Sequence, residues 1–482
     1  MTVGAFTAFE WLMLFQHELL LFAGVFFLIG AVDEICIDLA WVWLRLTGRA
    51  ATHVLPTSVT EALSGTGDRD ALSGPAAIFI PTWQEAGVIG TTINHMLSVW
   101  PQSALRLYVG CYANDRATIE AVTQAAAGDP RMRLVIHDRI GPTTKADCLN
   151  RLYQALTEDE ERSGAPARMV VIHDAEDMVD PAGLELLDKA MDDADLAQLP
   201  VLPVPQPQSA WIGSHYCEEF AEAHGKAMVV RDALRAGMPL AGVGCAIGRD
   251  ALAALARTKP QGVPFAADCL TEDYELGLGI SAMGGTGRFL RYRHADGQLV
   301  ATRAYFPAEL DLAVRQKTRW IHGIAFQGWD RLGWHGRPAE IWMRIRDRRG
   351  PLTALVLALA YALLALVTIG WLLNLAGLGS GLDLSPELRI ILILNFASFA
   401  WRVVWRFGFT TREYGWAEGL RAVVRIPVAN VIAIMAGRRA LVAYAKALAG
   451  QIPQWDKTHH HAHPAQIMSP SFLPNQNRRR AA

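Results

Sequence analysis

The sequence carries no strong charge of either sign: 45 lysines and arginines stand against 47 aspartates and glutamates, a formal net charge of −2. That balance excludes a bulk electrostatic attraction to nucleic acid. Its six cysteines, Cys36, Cys111, Cys148, Cys217, Cys245 and Cys269, are scattered without a C-x-x-C pair. This argues against a disulfide framework and a structural zinc site, and fits a reducing compartment for the middle of the chain. The N-terminus lacks a basic leader and a small-residue cleavage site, so it does not read as a cleavable signal peptide. No internal repeat is found.

What is abundant is apolar residue: 51% of the chain, with a mean hydropathy of +0.17. Leu19 to Val32 is uncharged, and the apolar pattern resumes at Leu39 to Leu46, interrupted by Asp33, Glu34 and Asp38. A span needs roughly 20 residues. One helix over about 11–45, with its acids facing protein partners, meets that length. Leu352 to Leu382 contains no charge and follows Arg344, Arg346, Arg348 and Arg349; a third segment runs from Leu388 to Phe409, with Arg402 and Arg406 placed to snorkel. Basic residues flank these two segments on their outer sides, while Asp383 and Glu387 sit in the link between them. By the positive-inside rule the link is external and residues 46–350 are cytosolic. Residues 421–448, broken by Arg425, Pro427, Arg438 and Arg439, read as an interfacial or re-entrant helix, with a fourth span as the alternative. The resulting division is 1–48 membrane helix, 49–350 soluble domain, 351–410 two membrane helices, 411–450 interfacial helices and 451–482 polar tail. His459, His460, His461 and His463 in that tail read as solvated, with metal binding as the alternative.

The soluble middle alternates. Short apolar runs at Ala76–Ile80, Leu105–Gly110, Arg133–His137 and Met169–His173 are separated by helical patterns at Gly87–Val99, Arg116–Ala127 and Lys145–Leu156. Pro181–Ala190 adds a helix, and Leu199–Val204, with its prolines, reads as an edge strand at best. The predicted fold is α/β, with a mainly parallel sheet and its ligand beyond the carboxyl ends of the strands.

Polar motifs begin at those ends. Pro81-Thr82-Trp83-Gln84-Glu85 can turn backbone donors and Glu85 toward a ligand, or simply cap a helix. Asp115, after the second strand, can accept from a nucleobase or cap a turn. Lys145 opens a helix where a diphosphate would meet free amides; a surface lysine is the plainer reading. Asp174, Glu176 and Asp177 crowd three carboxylates into four residues, and a divalent cation shared with substrate phosphates would relieve the repulsion. In Thr271-Glu272-Asp273 a carboxylate can serve as general base, or Thr271 as a helix cap. Gln316 and Trp320 share a helical face, with Arg319 beside them, as an aromatic platform for a sugar or as interfacial anchors.

Asp115, Asp174-Ala175-Glu176, Thr271-Glu272-Asp273 and Gln316-Lys317-Thr318-Arg319-Trp320, in that order and before a membrane span, resemble the motifs of family 2 glycosyltransferases. The likeness is nearest to their bacterial inner-membrane, phage-adsorption branch, which serves in exopolysaccharide production; Gly141 to Asn150, His173 to Asp177 and Trp455 to Thr458 look like that branch's signatures. The resemblance implies a GT-A nucleotide-diphospho-sugar transferase domain and Mg²⁺ or Mn²⁺ at Asp174 and Glu176, with Asp177 as a further candidate. It implies Asp115 on uracil and Lys145 near the diphosphate, with Pro81, Thr82, Glu85 and Asp174 in the nucleotide-sugar site. Asp273 becomes the base, and Glu272, Gln316, Arg319 and Trp320 meet acceptor or diphosphate. The implied reaction is inverting transfer from a UDP-sugar, UDP-N-acetylhexosamine in this reading, onto a growing polysaccharide, with membrane lipid around the spans and an outer-membrane export partner. The rival readings are a single-addition transferase acting on a lipid-linked acceptor, and an inactive membrane scaffold or receptor component. Some relatives carry a C-terminal cyclic-di-GMP-binding domain, and none is expected within these residues.

Overall fold

The computed structural model describes residues 8–50, 52–57, 59–60, 72–377, 384–451 and 463–467. His459, His460, His461 and the Trp455–Thr458 motif lie outside the described residues.

The centre is a seven-stranded sheet built from β1 (Ala76–Pro81), β2 (Leu105–Tyr112), β3 (Met132–His137), β4 (Met169–Ile172), β5 (Leu196–Gln198), β7 (Cys245–Gly248) and β8 (Gly287–Phe289). Strand β6 (Val201–Pro203) instead pairs in parallel with β9 (Thr302–Ala304). The sheet order is β3-β2-β1-β4-β7-β5-β8, and only β7 runs antiparallel to its neighbours. Both faces are covered. Ile78, Ile80, Leu107, Val109 and Val171 point into one buried cluster, and Ala77, Phe79, Tyr108, Val170 and Ile172 into the other. That double burial is why these strands read as continuous apolar runs rather than alternating ones. Each fully buried Val, Leu, Ile or Phe side chain contributes about 1.5–3 kcal/mol.

Two of the differences from the sequence reading bear on the site. The predicted edge strand at Leu199–Val204 shortens to Val201–Pro203, because Leu199 and Pro200 separate it from β5 in the main sheet. The antiparallel β7 was not anticipated, since four residues flanked by glycine carry too little pattern to read as a strand.

Four helices are long and apolar enough to cross a membrane by length and composition: α1 (Ala8–Leu46), α2 (Gly350–Leu375), α3 (Pro386–Tyr414) and α4 (Ile426–Leu448). The acids of α1 do face partners. Asp33 bonds Arg346, and Arg349 at 2.5 Å; Glu34 meets Arg346 at 2.9 Å and Arg402 at 3.1 Å; Asp38 meets Lys226, and Trp401 Nε1 at 2.8 Å. Arg402 therefore turns inward onto these acids and Glu222 instead of snorkelling, because a buried carboxylate gains more from a guanidinium than lipid headgroups offer it. Helix α4 touches the sheet-containing part of the chain at both ends. Arg425, just before it, pairs with Glu218 at 3.1 Å, and Tyr444 bonds Asp330 at 3.1 Å.

Candidate active site

A cavity of about 430 Å³ lies beyond the carboxyl ends of β1, β2 and β4, within the size range of ligand pockets. Pro81, Thr82, Glu85, Lys145, Asp174, Glu176, Asp177, Glu272, Asp273, Gln316, Arg319 and Trp320 all line it. They come from segments separated by up to 239 positions in the sequence, and the strand ends bring them together.

Each strand end supplies a fixed piece. After β1 the backbone of Gln84 adopts a left-handed φ of 54°, uncommon for a residue with a side chain. This aims its N–H at Asp115 Oδ2, 2.5 Å away. Asp115 also caps the following helix through Thr118 N–H. Its carboxylate is thus spent on the backbone, and it stands outside the cavity wall, unlike the other candidates. Lys145 is the first residue of the helix Lys145–Ser163, which Thr144 caps by accepting from Asp147 N–H at 3.2 Å. It is no surface lysine: Nζ lies 2.5 Å from Asp174 Oδ1 and 3.3 Å from the Gly242 carbonyl. Burial works against its charge, but Asp174, Glu272 and Asp273 outweigh that and hold its pKa above the ordinary lysine value.

The acidic turn divides its labour. Asp174 and Glu176 edge the cavity. Asp177 is buried, with Oδ2 2.8 Å from His173 Nδ1 and accepting the Asp174 N–H at 3.0 Å. That arrangement makes Asp177 a brace of the turn rather than a forward-facing ligand. Glu272 and Asp273 open the helix Glu272–Ala282. Thr271 makes no side-chain cap bond there, so the capping alternative is not realised. Burial, then the neighbouring Asp273, pushes Glu272 up to about 7, against the pull of Lys145. Burial likewise raises Asp273, with Lys145 opposing.

Eight acidic residues line the cavity: Glu85, Asp174, Glu176, Asp177, Glu219, Glu272, Asp273 and Asp347; among the described residues its permanent cations are Lys145 and Arg319. Glu219 pairs with Lys317, Asp347 with Arg231 and Asp177 with His173. Acidic side chains outnumber permanent cations in the cavity wall. Among the described residues, no three His, Cys, Asp or Glu side chains converge into a closed cage. An open carboxylate pair of this kind fits a cation held jointly by one or two acids and substrate phosphates.

Sequence reasoning missed several wall residues. Gln198, fully buried, donates to the Val243 carbonyl at 2.8 Å and accepts Ala241 N–H at 2.8 Å, so it pins the loop that carries Gly242. An amide side chain inside the apolar run Leu196–Leu199 was the available signal. Gly242 has φ +74°, and a Cβ there would lie 2.5 Å from Asp273 Oδ2. Trp83 and Tyr112 form an edge-to-face pair at 5.3 Å in the wall, and Tyr112 stacks on His137 at 5.0 Å.

Comparison with known proteins agrees with this geometry. The model of "Glycosyltransferase like family 2" matches residues 74–323. Bacteriophage adsorption protein B of Escherichia coli K12 is 34% identical over an alignment of 414 residues that covers 80% of this chain and 54% of that protein. Bacteriophage N4 adsorption protein B of Escherichia coli O157:H7 gives the same values. The chain spans about half the length of these curated relatives. Among solved structures, a mannosyltransferase from Pyrobaculum calidifontis in complex with GDP-Man and Mn²⁺ matches over 86% of this chain and 99% of its own, with a TM-score of 0.51 and 18% identity, a likeness of fold. The strand-end cavity, the ordered motifs and these relatives together establish that the chain belongs to glycosyltransferase family 2, with a GT-A catalytic fold and apolar membrane helices.

Proposed function

We propose that the chain transfers a sugar from a nucleotide diphosphate sugar, with inversion, onto a growing polysaccharide at the cytosolic face of the bacterial inner membrane. The observation that carries this reading is the single cavity in which Asp174, Glu176, Lys145, Arg319 and Asp273 meet. Mg²⁺ or Mn²⁺ at Asp174 and Glu176 would neutralise charge developing on the leaving diphosphate. Lys145 supplies the adjoining positive charge, tethered at the Gly242 carbonyl. Asp273 is held by Tyr274 N–H at 2.7 Å through Oδ1 and takes the acceptor hydroxyl proton, a step worth about 10²–10⁴-fold. Its raised pKa suits it to hold that proton. Arg319 and Trp320 bound the acceptor side, and Asp115 shapes the loop after β1. UDP is the nucleotide we favour, by the family resemblance, and UDP-N-acetylhexosamine is the donor we would try first. The relatives' names associate them with phage adsorption, which fits a product that reaches the cell surface through an outer-membrane export partner.

Helices α1, α2 and α3 cross the membrane in this reading. The contacts of α4 with the soluble domain at both ends support an interfacial placement for it. The aromatic wall of Phe220, Phe306 and Trp320, packed with Ile432 and Ala436 of that apolar helix, favours one rival, single addition to a lipid-linked acceptor; product length on a gel separates the two. The principal test is Asp273→Asn. Transfer is lost while Mn²⁺-dependent nucleotide binding survives, and retained turnover removes Asp273 as the base.

A further inference from the structure

The segment that carries the acidic turn is held from behind by five donors. Thr92 Oγ1 donates to the Ala175 carbonyl. The Arg303 N–H donates to the Met178 carbonyl at 2.9 Å, His95 Nε2 to that of Val179 at 2.9 Å and Trp100 Nε1 to that of Asp180 at 3.0 Å. The carbonyl of Asp177 meets His463 Nε2 at 3.2 Å. The Nδ1 of His463 accepts Ala465 N–H at 3.1 Å, which leaves Nε2 as the protonated nitrogen and therefore the donor. His463 is fully buried, and its ring lies 6.4 Å from that of His95. The short helix Pro464–Ile467 behind it packs against the helix Ile89–Val99. Four of the donors belong to the catalytic domain. The fifth arrives from beyond α4, 286 positions away in sequence. The expectation of a solvated tail is thereby overturned at His463: an imidazole that satisfies a buried carbonyl is better placed there than in water.

We propose that His463 is a positioning residue of the catalytic site: it fixes the backbone of the acidic turn so that Asp174 and Glu176 present their oxygens to the divalent cation. Cation binding then depends on a segment that follows the membrane-associated helices. The inference rests on the metal reading above. Groups standing behind metal ligands typically alter metal affinity by about 10–100-fold when removed.

The test uses the full chain in detergent, titrated with Mn²⁺ alone while free Mn²⁺ is followed by electron paramagnetic resonance. His463→Ala should weaken Mn²⁺ binding by about tenfold or more. His463→Gln, whose amide can still donate, should recover most of it, while the carbonyl left unpaired in His463→Ala should lower the melting temperature of the metal-free protein by only a few degrees. The KM for acceptor should stay the same. Wild-type Mn²⁺ affinity in His463→Ala, with binding lost in Asp174→Ala, overturns this inference alone. Retained binding in Asp174→Ala overturns the metal reading and this inference with it. A parallel fall in metal-free melting temperature and Mn²⁺ affinity in both His463 variants, without rescue by glutamine, reduces His463 to a general structural role and overturns the proposal.

Discussion

Lys145 holds the place a metal-bound diphosphate would contest, so its removal should act with opposite signs on two ligands. Its ammonium lies 2.5 Å from Asp174, with side-chain exposures of 18% and 35%. Two unit charges 4 Å apart interact by about 4 kcal/mol at an effective dielectric of 20. Because Asp174 is about a third exposed, solvent screening reduces this to about 2 kcal/mol. In Lys145→Met the cation competing for Asp174 is gone, so Mn²⁺ alone should bind up to about 30-fold more tightly, at 1.4 kcal/mol per decade. The nucleoside diphosphate loses its direct positive partner and, at saturating Mn²⁺, should bind about 30-fold more weakly. Isothermal titration of each ligand reads both signs. If both affinities fall together, Lys145 merely holds the turn in shape; if neither moves, it lies outside the donor site and the charge argument fails.

Gly242→Ala places a methyl 2.5 Å from Asp273 Oδ2 and 3.3 Å from Lys145 Nζ on a φ of +74°; kcat should drop at least about tenfold, given a backbone cost of about 1 kcal/mol before the clash, and unchanged kcat refutes the close approach. The pH profile follows from the raised Asp273, with Glu272 beside it at about 7. A carboxylate with a raised pKa is ionised only above it, so kcat should fall with pH on a limb above the ordinary carboxylate range. Lys145→Met should move that limb further up, since Lys145 opposes the rise in both groups. An acid limb below pH 5, in the ordinary carboxylate range, contradicts the assignment. Asp38→Ala strips a fully buried acid from Lys226 and Trp401. Lys226 keeps Glu222 at 2.7 Å, so the loss should sit near the lower end of the range for broken buried pairs, about 3 kcal/mol. A lowered melting temperature in detergent checks it, and an unshifted one refutes it.

The parts legible in the sequence are those whose signal is local. Apolar length marked α1 and α2, and even the acids of α1 announced partners, because an unpaired carboxylate at that depth is costly. Period and strand-end punctuation located β1 to β4, since a strand buried on both faces must be apolar throughout. The ordered acids and the Gln316–Trp320 helix marked all but one of the candidate residues now found in one wall. What only the tertiary structure decided depends on partners distant in the chain. Asp177 turns inward because His173 is behind it, and Asp115 is consumed by Gln84 and Thr118. Gly242 and Gln198 matter only through what they touch. The packing of the α4 region on Glu218 and Asp330 likewise joins residues distant in the chain, while its composition reads equally as span or interface. His463, taken for solvated, is buried beneath a turn 286 residues before it. Hydrophobic length and periodicity are sums over neighbouring residues, whereas the direction of a carboxylate or imidazole is set by whichever donor the fold carries to it.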